Sequence, residues 1–294
     1  MMRGIYSATV SVINDDYSLN VEATIKHAET SIKNGLHGVI FGGSTGQSQL
    51  TSLRSKKELI SKAATHKLKK QFLFGNGTNS LEETIDLIKY GMEFGFNDCY
   101  LVGVPAYFKN NTEDGVHTYF KEIISQIPKV KIILYNFEKL SGFKFEVDFV
   151  KKLKSSYPKN IIGCKDSTYN LYDKVKIKDF LMFPGDESKL LKGLELGCSG
   201  CISAIANVTH KLAREVFDDF ENKRIQNSNE KLINVRHTFD KYNLISGLHS
   251  YMSLQNSKFK NLLPPLTLLN SKDQKELLKS LENLKFNNSK NIAA

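Results

Sequence analysis

The chain has 294 residues, 40% of them hydrophobic, with 41 Lys and Arg against 31 Asp and Glu and a formal charge of +10. That length supports one large α/β domain or two smaller ones, and with only six prolines and no Ser/Gly-rich spacer the sequence marks no linker. No apolar stretch reaches membrane length, and the N-terminal run is too short for a signal-peptide core, so a cytoplasmic location is expected. The positive charge does not read as a nucleic-acid footprint. Lysines are scattered among acids, as at Lys272, Asp273, Lys275 and Glu276, the pattern of solvated helix faces. Cys99, Cys164, Cys198 and Cys201 are too few and too strand-associated for a disulfide framework. Cys198 and Cys201 form a Cys-x-x-Cys without the further ligands that zinc requires. Metal or redox chemistry at that pair is not expected.

In chain order, short apolar runs recur at 5–12, 38–41, 71–74, 99–102, 131–134, 161–164, 181–183 and 201–203. Continuous apolar runs of this length read as strands buried on both faces. Helix-period segments lie between them. One carries Leu81, Ile85, Ile88 and Met92 and opens with a capping box, Ser80 and Glu83. Another opens at Thr112 with Glu113 and Asp114 and carries Val116, Phe120 and Ile123 on one face. After Ser203 the pattern is helical, at 212–221, 232–242 and 274–284, with a tail at 285–294 expected to fray. Eight strand–helix units in about 210 residues predict a (β/α)8 TIM barrel, residues 1–224, with a C-terminal helical extension packed on it, residues 225–294. A doubly wound open sheet is the alternative. No Gly-x-Gly-x-x-Gly follows the first strand and no phosphate loop occurs.

In a barrel the active site is built from the residues that follow the strands. Here those are Gly42-Gly43-Ser44-Thr45-Gly46, Val104-Pro105-Ala106-Tyr107, Tyr135-Asn136, Lys165-Asp166-Ser167 and Gly185-Asp186-Glu187, with Ser203 at the eighth strand itself. Lys165, emerging from a buried strand, is the candidate nucleophile, since partial desolvation favours the free amine. A lysine that snorkels to the surface or pairs with Asp166 is the ordinary alternative. Tyr135 stands at the end of the preceding strand as a candidate proton shuttle, although alone it would read as a core or rim tyrosine. The glycine loop exposes backbone N–H groups beside the hydroxyls of Ser44 and Thr45, a nest suited to a carboxylate, or a plain glycine turn. Such a set would let an amine condense with a 2-oxo acid and move protons as carbinolamine becomes imine and enamine.

Gly-Gly-Ser-Thr-Gly-Gln at 42–47, Leu-Tyr-Asn at 134–136 followed by Ser141-Gly142, Gly-Cys-Lys-Asp-Ser at 163–167 and Gly-Asp-Glu at 185–187 resemble, in order and spacing, the dihydrodipicolinate synthase/N-acetylneuraminate lyase family. The resemblance spans residues 4 to about 210. It implies a class I, Schiff-base aldolase that uses pyruvate and an aldehyde without a cofactor. Lys165 would form the imine, Tyr135 would shuttle protons, and Ser44 and Thr45 would hold the pyruvate carboxylate. A tyrosine matching Tyr107 reaches a neighbouring subunit's site in the family, which implies a homodimer or homotetramer.

The departures bear on substrate. Leu140 stands where the synthases carry an arginine for the aldehyde's carboxylate, Glu138 where a proline is usual, and Gln47 where an acid often ends the glycine loop. Leu140-Ser141-Gly142 resembles the sialic acid lyases, Lys165-Asp166-Ser167 the 2-keto-3-deoxygluconate aldolases, and the segment 203–207 the synthases. The leading expectation is cleavage or formation of a 2-oxo-3-deoxy sugar acid, its hydroxyls met by Ser167, Gly185, Asp186, Glu187 and Ser203. The alternative is 4-hydroxy-tetrahydrodipicolinate synthase, with Lys139 or Lys144 replacing the arginine. A third reading is a noncatalytic barrel that binds a metabolite or nucleic acid.

Overall fold

The computed structural model describes residues 3–97 and 99–286. The fraying expected at 285–294 lies, beyond Phe286, outside them. Eight parallel strands alternate with helices: β1 (Gly4–Ala8), α1 (Val21–Lys33), β2 (Gly38–Phe41), α2 (Leu53–Ala64), β3 (Phe72–Gly75), α3 (Leu81–Glu93), β4 (Tyr100–Gly103), α4 (Glu113–Gln126), β5 (Ile132–Asn136), the short α5 (Glu138–Ser141), α6 (Val147–Ser156), β6 (Ile161–Asp166), β7 (Leu181–Pro184), α7 (Leu190–Glu195) and β8 (Gly200–Ser203). The ladder runs β7-β6-β5-β4-β3-β2-β1-β8. β7 and β8 close the circle side by side, and the Ser199 N–H donates to the Met182 carbonyl at 2.7 Å. This is a (β/α)8 barrel with helices around it. Among the described residues four α-helices follow: α8 (Ala206–Glu221), α9 (Asn229–Asp240), α10 (Leu244–Ser253) and α11 (Ser271–Asn283).

Several boundaries differ from expectation. The first apolar run continues to residue 12, yet pairing stops at Ala8 because side chains take over the backbone donors. Val10 N–H goes to Asn207 Oδ1 and Val12 N–H to Thr24 Oγ1. Val10 and Val12 instead join Val208, Val235, Phe239, Leu248 and Leu277 in the cluster that seats the C-terminal helices. α8 begins six residues before the segment expected at 212, and α10 was not anticipated. The box at the start of α3 is half formed. Ser80 Oγ accepts the Glu83 N–H at 3.2 Å, but the Glu83 carboxylate turns to the Thr78 hydroxyl, which accepts the Ser80 N–H.

Alternation along the strands sends Val39, Phe41, Phe72, Phe74, Val102 and Leu134 outward against the helices, and Tyr6, Ile40, Leu73, Leu101, Ile133, Phe183 and Ile202 into the barrel. Two residues further along each strand lies the layer at the mouth: Ala8, Gly42, Gly75, Gly103, Tyr135, Lys165, Gly185 and Ala204. Six of these carry a methyl group or nothing. Below this layer the barrel is filled by larger apolar side chains, and within it the two long side chains are a phenol and an amine.

Candidate active site

Lys165 lies within β6 rather than after it, paired with Tyr135 on β5 and Phe183 on β7. It is buried, 4% exposed, and Nζ stands 4.4 Å from the centre of the Tyr135 ring. The next residue, Asp166, points the other way and does not pair with the lysine. Its carboxylate accepts the N–H groups of Thr168, Tyr169, Leu171 and Tyr172 at 2.8–3.2 Å and the Asn136 amide at 2.8 Å. Asp166 is thus the nucleus on which the loop after β6 folds. Asn136, fully buried, extends the same frame by accepting the Phe145 N–H and donating to Asn170.

Tyr135 OH lies 3.4 Å from Ser44 Oγ, so the tip of the glycine loop and the proton-shuttle candidate meet beside Lys165. Gly42 makes this possible: its φ of +71° is open to glycine, and a Cβ there would stand 2.7 Å from the Gly75 carbonyl. Ser44–Gly46 forms one 3₁₀ turn in which Gly46, Gln47 and Ser48 spend their N–H groups on Gly43 and Ser44 carbonyls. Thr45 is buried under it. Gln47 does not face the mouth; its Oε1 accepts the Leu263 N–H at 2.7 Å. On the other flank Ser167 leans over Gly185, where a Cβ would strike its hydroxyl.

A small cleft opens between the ends of β2 and β5, about 30 Å³, lined by Ser44, Gln49, Asn76, Thr78, Asn79, Tyr135 and Leu140 among others; no lining side chain is charged. Asn76, Thr78 and Asn79, absent from the site that the sequence predicts, follow β3 as directly as Ser44 follows β2. Leu140 sits on this wall. Lys139 is exposed, and Lys144 pairs with Glu146 at 2.8 Å. The cation beside Leu140 is Lys109, whose Nζ lies 3.4 Å from the Leu140 carbonyl.

Asp186, Glu187 and Ser203 are near the mouth but engaged with one another. Ser203 Oγ donates to Glu187 Oε2 at 2.6 Å, and Arg236 on α9 donates to both at 3.3 Å. Arg236 Nε lies 3.8 Å from Asp186 and donates to Asp240 at 2.8 Å. Glu187 is wholly buried. Burial pushes its carboxyl up from the ordinary value while Arg236 pulls it back. Burial also works against the Asp186 charge, but Arg236, the Ser188 N–H and Lys189 outweigh it and hold that carboxyl low. Arg236 was not anticipated; its one signal is an arginine within the apolar face of a helix in a lysine-dominated chain.

Tyr107 is 80% exposed with a φ of +89°, and its ring meets that of Phe108, 75% exposed, edge-on at 5.2 Å. It does not reach Lys165 within this chain's site contacts. Among the described residues no helix is long and apolar enough to cross a membrane.

The profile of the Dihydrodipicolinate synthetase family matches residues 1–284. The 4-hydroxy-tetrahydrodipicolinate synthase of Bartonella bacilliformis is 32% identical over 225 residues, 74% of each chain. An uncharacterized DapA-like lyase of Thermococcus onnurineus is 27% identical over 292 residues, 95% of this chain and 98% of that one. Among solved structures, YagE, an E. coli K12 prophage protein of the dihydrodipicolinic acid synthase family in complex with pyruvate, superimposes with a TM-score of 0.87 at 24% identity over 97% of this chain and 99% of that one. Thermotoga maritima dihydrodipicolinate synthase gives 0.87 at 22%, covering 98% and 100%. At those identities the structures speak for the fold. The family match over nearly the whole chain, joined to a 32% identical relative over three quarters of it, shows that this chain belongs to the dihydrodipicolinate synthetase family of lyases.

Proposed function

We propose that the chain is a class I aldolase that makes or breaks a carbon–carbon bond through an enamine of pyruvate on Lys165. The observation that carries this reading is the buried Lys165 amine beside the Tyr135 ring, in a layer otherwise cleared of side chains. The free amine attacks the pyruvate C2 carbonyl. Tyr135, with Ser44 at 3.4 Å, passes a proton to the carbinolamine oxygen, which leaves as water to form the imine. Loss of a C3 proton gives the enamine, whose C3 attacks the aldehyde carbon as the aldehyde oxygen gains a proton. Water then hydrolyses the imine and restores the lysine. Ser44 and Thr45 hold the pyruvate carboxylate, and Ser167 and Gly185 border the other side. The step needs no metal or organic cofactor.

For the second substrate, a cleft wall of Gln49, Asn76, Thr78 and Asn79 with Leu140 and no charged side chain favours an uncharged, hydroxyl-bearing tail, as in a 2-oxo-3-deoxy sugar acid. Asp186, Glu187 and Ser203 are less suited to that tail than their chain positions suggest, because they already satisfy one another and Arg236. Lys109, beside Leu140, favours a second reading. It would supply a cation to a carboxylate-bearing aldehyde, as 4-hydroxy-tetrahydrodipicolinate synthase requires. The exposed Tyr107–Phe108 pair favours assembly with a second copy, since two adjacent large aromatic rings left in water form an apolar patch of the kind that a partner covers.

The test is to incubate the enzyme with pyruvate and borohydride and locate the adduct by mass. One reduced pyruvyl group on Lys165, lost in Lys165→Ala, is the expected result. A folded wild type that takes up none favours the noncatalytic metabolite-binding barrel.

A further inference from the structure

Gln47 sits at the joint of the glycine loop, between the 3₁₀ turn Ser44–Gly46 and a second one, Ser48–Leu50. Its backbone is left-handed, φ +55° and ψ +31°, a conformation that glycine takes freely and that an L side chain adopts at a cost. The side chain is buried, 2% exposed. Its Oε1 accepts the Leu263 N–H at 2.7 Å, while Nε2 has no hydrogen-bond partner among the described residues. A strained backbone carrying a half-satisfied buried amide is unfavourable for stability alone, and such an outlier points to a function. Leu263 is itself firmly held. It lies in the segment that joins α10 to α11, where Phe259 is packed in the C-terminal core and its carbonyl accepts from His249 Nδ1 at 2.9 Å. In the same segment Asn261 donates to the Ile13 carbonyl at 3.2 Å, and the Leu269 N–H goes to Ser250 Oγ at 2.8 Å. In the other direction the contacts lead into the site. The Gln47 N–H donates to the Ser44 carbonyl at 3.0 Å, and Ser44 Oγ stands 3.4 Å from Tyr135 OH.

We propose that Gln47 is a positioning residue of the aldolase site: through Leu263 it ties the glycine loop to the C-terminal segment, and so holds Ser44 within reach of Tyr135 and of the pyruvate carboxylate. Gln47 acts through Ser44 and does not itself touch substrate. The turn that carries Ser44 is three residues long, so its orientation is set by what it is tied to. Ser11 Oγ fixes it at one point by donating to the Gly46 carbonyl at 2.7 Å. Gln47 fixes it at the next residue, from the opposite end of the chain, and two anchors stop the turn from pivoting. The contact they protect has little slack. At 3.4 Å the Ser44–Tyr135 pair is already long, and a further shift of about 1 Å breaks it. The C-terminal extension thereby contributes a backbone donor to the order of the barrel mouth.

The inference rests on the aldolase reading, and the test separates the two. Exchange of the pyruvate methyl protons for deuterium, followed by NMR, reports imine and enamine formation with pyruvate as the only probe. Borohydride trapping of pyruvate counts the competent lysines, so that each rate is expressed per competent site. Wild type that shows no exchange defeats the aldolase reading, and this proposal with it. With exchange in wild type, Gln47→Met keeps the length of the side chain and loses the acceptor. It lowers kcat/KM per site by roughly 10- to 100-fold, the range for a displaced catalytic group, and divides the loss between KM for pyruvate and kcat as Ser44→Ala does. Because the effect runs through Ser44, adding Gln47→Met to Ser44→Ala costs less than about threefold more. A merely structural glutamine would lower the number of competent sites and leave the rate at each unchanged. If Gln47→Met does not fold, Gln47→Gly carries the same test, since glycine takes the left-handed backbone without strain. A per-site rate within about threefold of wild type in the single variant, or a loss that adds in full to that of Ser44→Ala, overturns the proposal.

Discussion

The amine of Lys165 stands 4.4 Å from the centre of the Tyr135 ring, over its face, while the phenol oxygen reaches on to Ser44 at 3.4 Å. The two side chains come from directly paired positions of neighbouring strands, so their separation is set by the sheet and not by a loop. That rigidity suits a lysine and a tyrosine acting on one substrate.

Tyr135→Phe preserves the ring that packs beside Lys165 and removes the hydroxyl. Pyruvate exchange should slow by roughly 10² to 10⁴, the range for a positioned acid–base group, with the melting temperature almost unchanged. A rate near wild type would assign proton transfer elsewhere.

Asp166 is expected to matter for folding rather than for proton transfer. Asp166→Ala orphans four backbone N–H groups and the Asn136 amide and should cost about 3 kcal/mol or more, since hydrogen bonds to a buried charge are among the strong ones. Urea unfolding with an unchanged slope would read this directly. A loss below about 1 kcal/mol would show that the loop after β6 has another anchor.

Two buried histidines make the junction between barrel and C-terminal helices acid-sensitive. Burial lowers His27 to about 4, against the Asn207 hydrogen bond that favours its charge, and burial likewise lowers His249 to about 4. The unfolded chain binds these protons near the ordinary value of 6.5 and the folded chain does not. Stability is therefore full above about pH 6.5 and falls as pH drops toward 4, each unit of displacement being worth about 1.4 kcal/mol. Denaturant midpoints for wild type and for His249→Phe should converge with falling pH if this holds. Parallel curves would place the acid lability elsewhere.

Substrate choice turns on Leu140 and Lys109. If the tail is uncharged, Lys109→Met leaves catalytic efficiency within about threefold for hydroxylated 2-oxo acids, because a rim charge contributes little. If the aldehyde carries a carboxylate, the same change should cost roughly 10-fold or more with aspartate semialdehyde, the scale of a charge-assisted hydrogen bond. Comparing both substrates on both enzymes settles which tail the cleft prefers.

Tyr107 and Phe108 should be covered in solution. Sedimentation at assay concentration is expected to give a dimer or larger, and Tyr107→Ala with Phe108→Ala to shift it toward monomer with loss of activity. A fully active wild-type monomer would remove the partner from the site.

The strands were readable because each is an apolar run buried on both faces, and the motif positions followed from being the next residues along. Alternation alone would also have placed Lys165 inside and Asp166 outside, and with them the layer of glycines and alanines. Less legible was what satisfies each polar group. Asp186 and Glu187 do lie after β7 and Ser203 at the end of β8, but their partner Arg236 is 49 residues beyond Glu187 and 33 beyond Ser203, on a helix that packs in the same cluster as Val10 and Val12. Nothing in the sequence marks Lys109 for a similar reason: its nearness to Leu140 comes from how the segments after β4 and β5 lean together.

The ladder that runs from β7 around to β8 leaves one joint in the hoop where strands lie side by side with the Ser199-to-Met182 hydrogen bond across it. A barrel strained by heat or denaturant should open there first, and the Glu187–Ser203–Arg236 contacts sit across that joint like a buckle. Amide hydrogen exchange along β7 and β8 would then run ahead of exchange in β3 to β5. Loosening the C-terminal helices would be felt as faster breathing at the one place where the cylinder is not sewn shut.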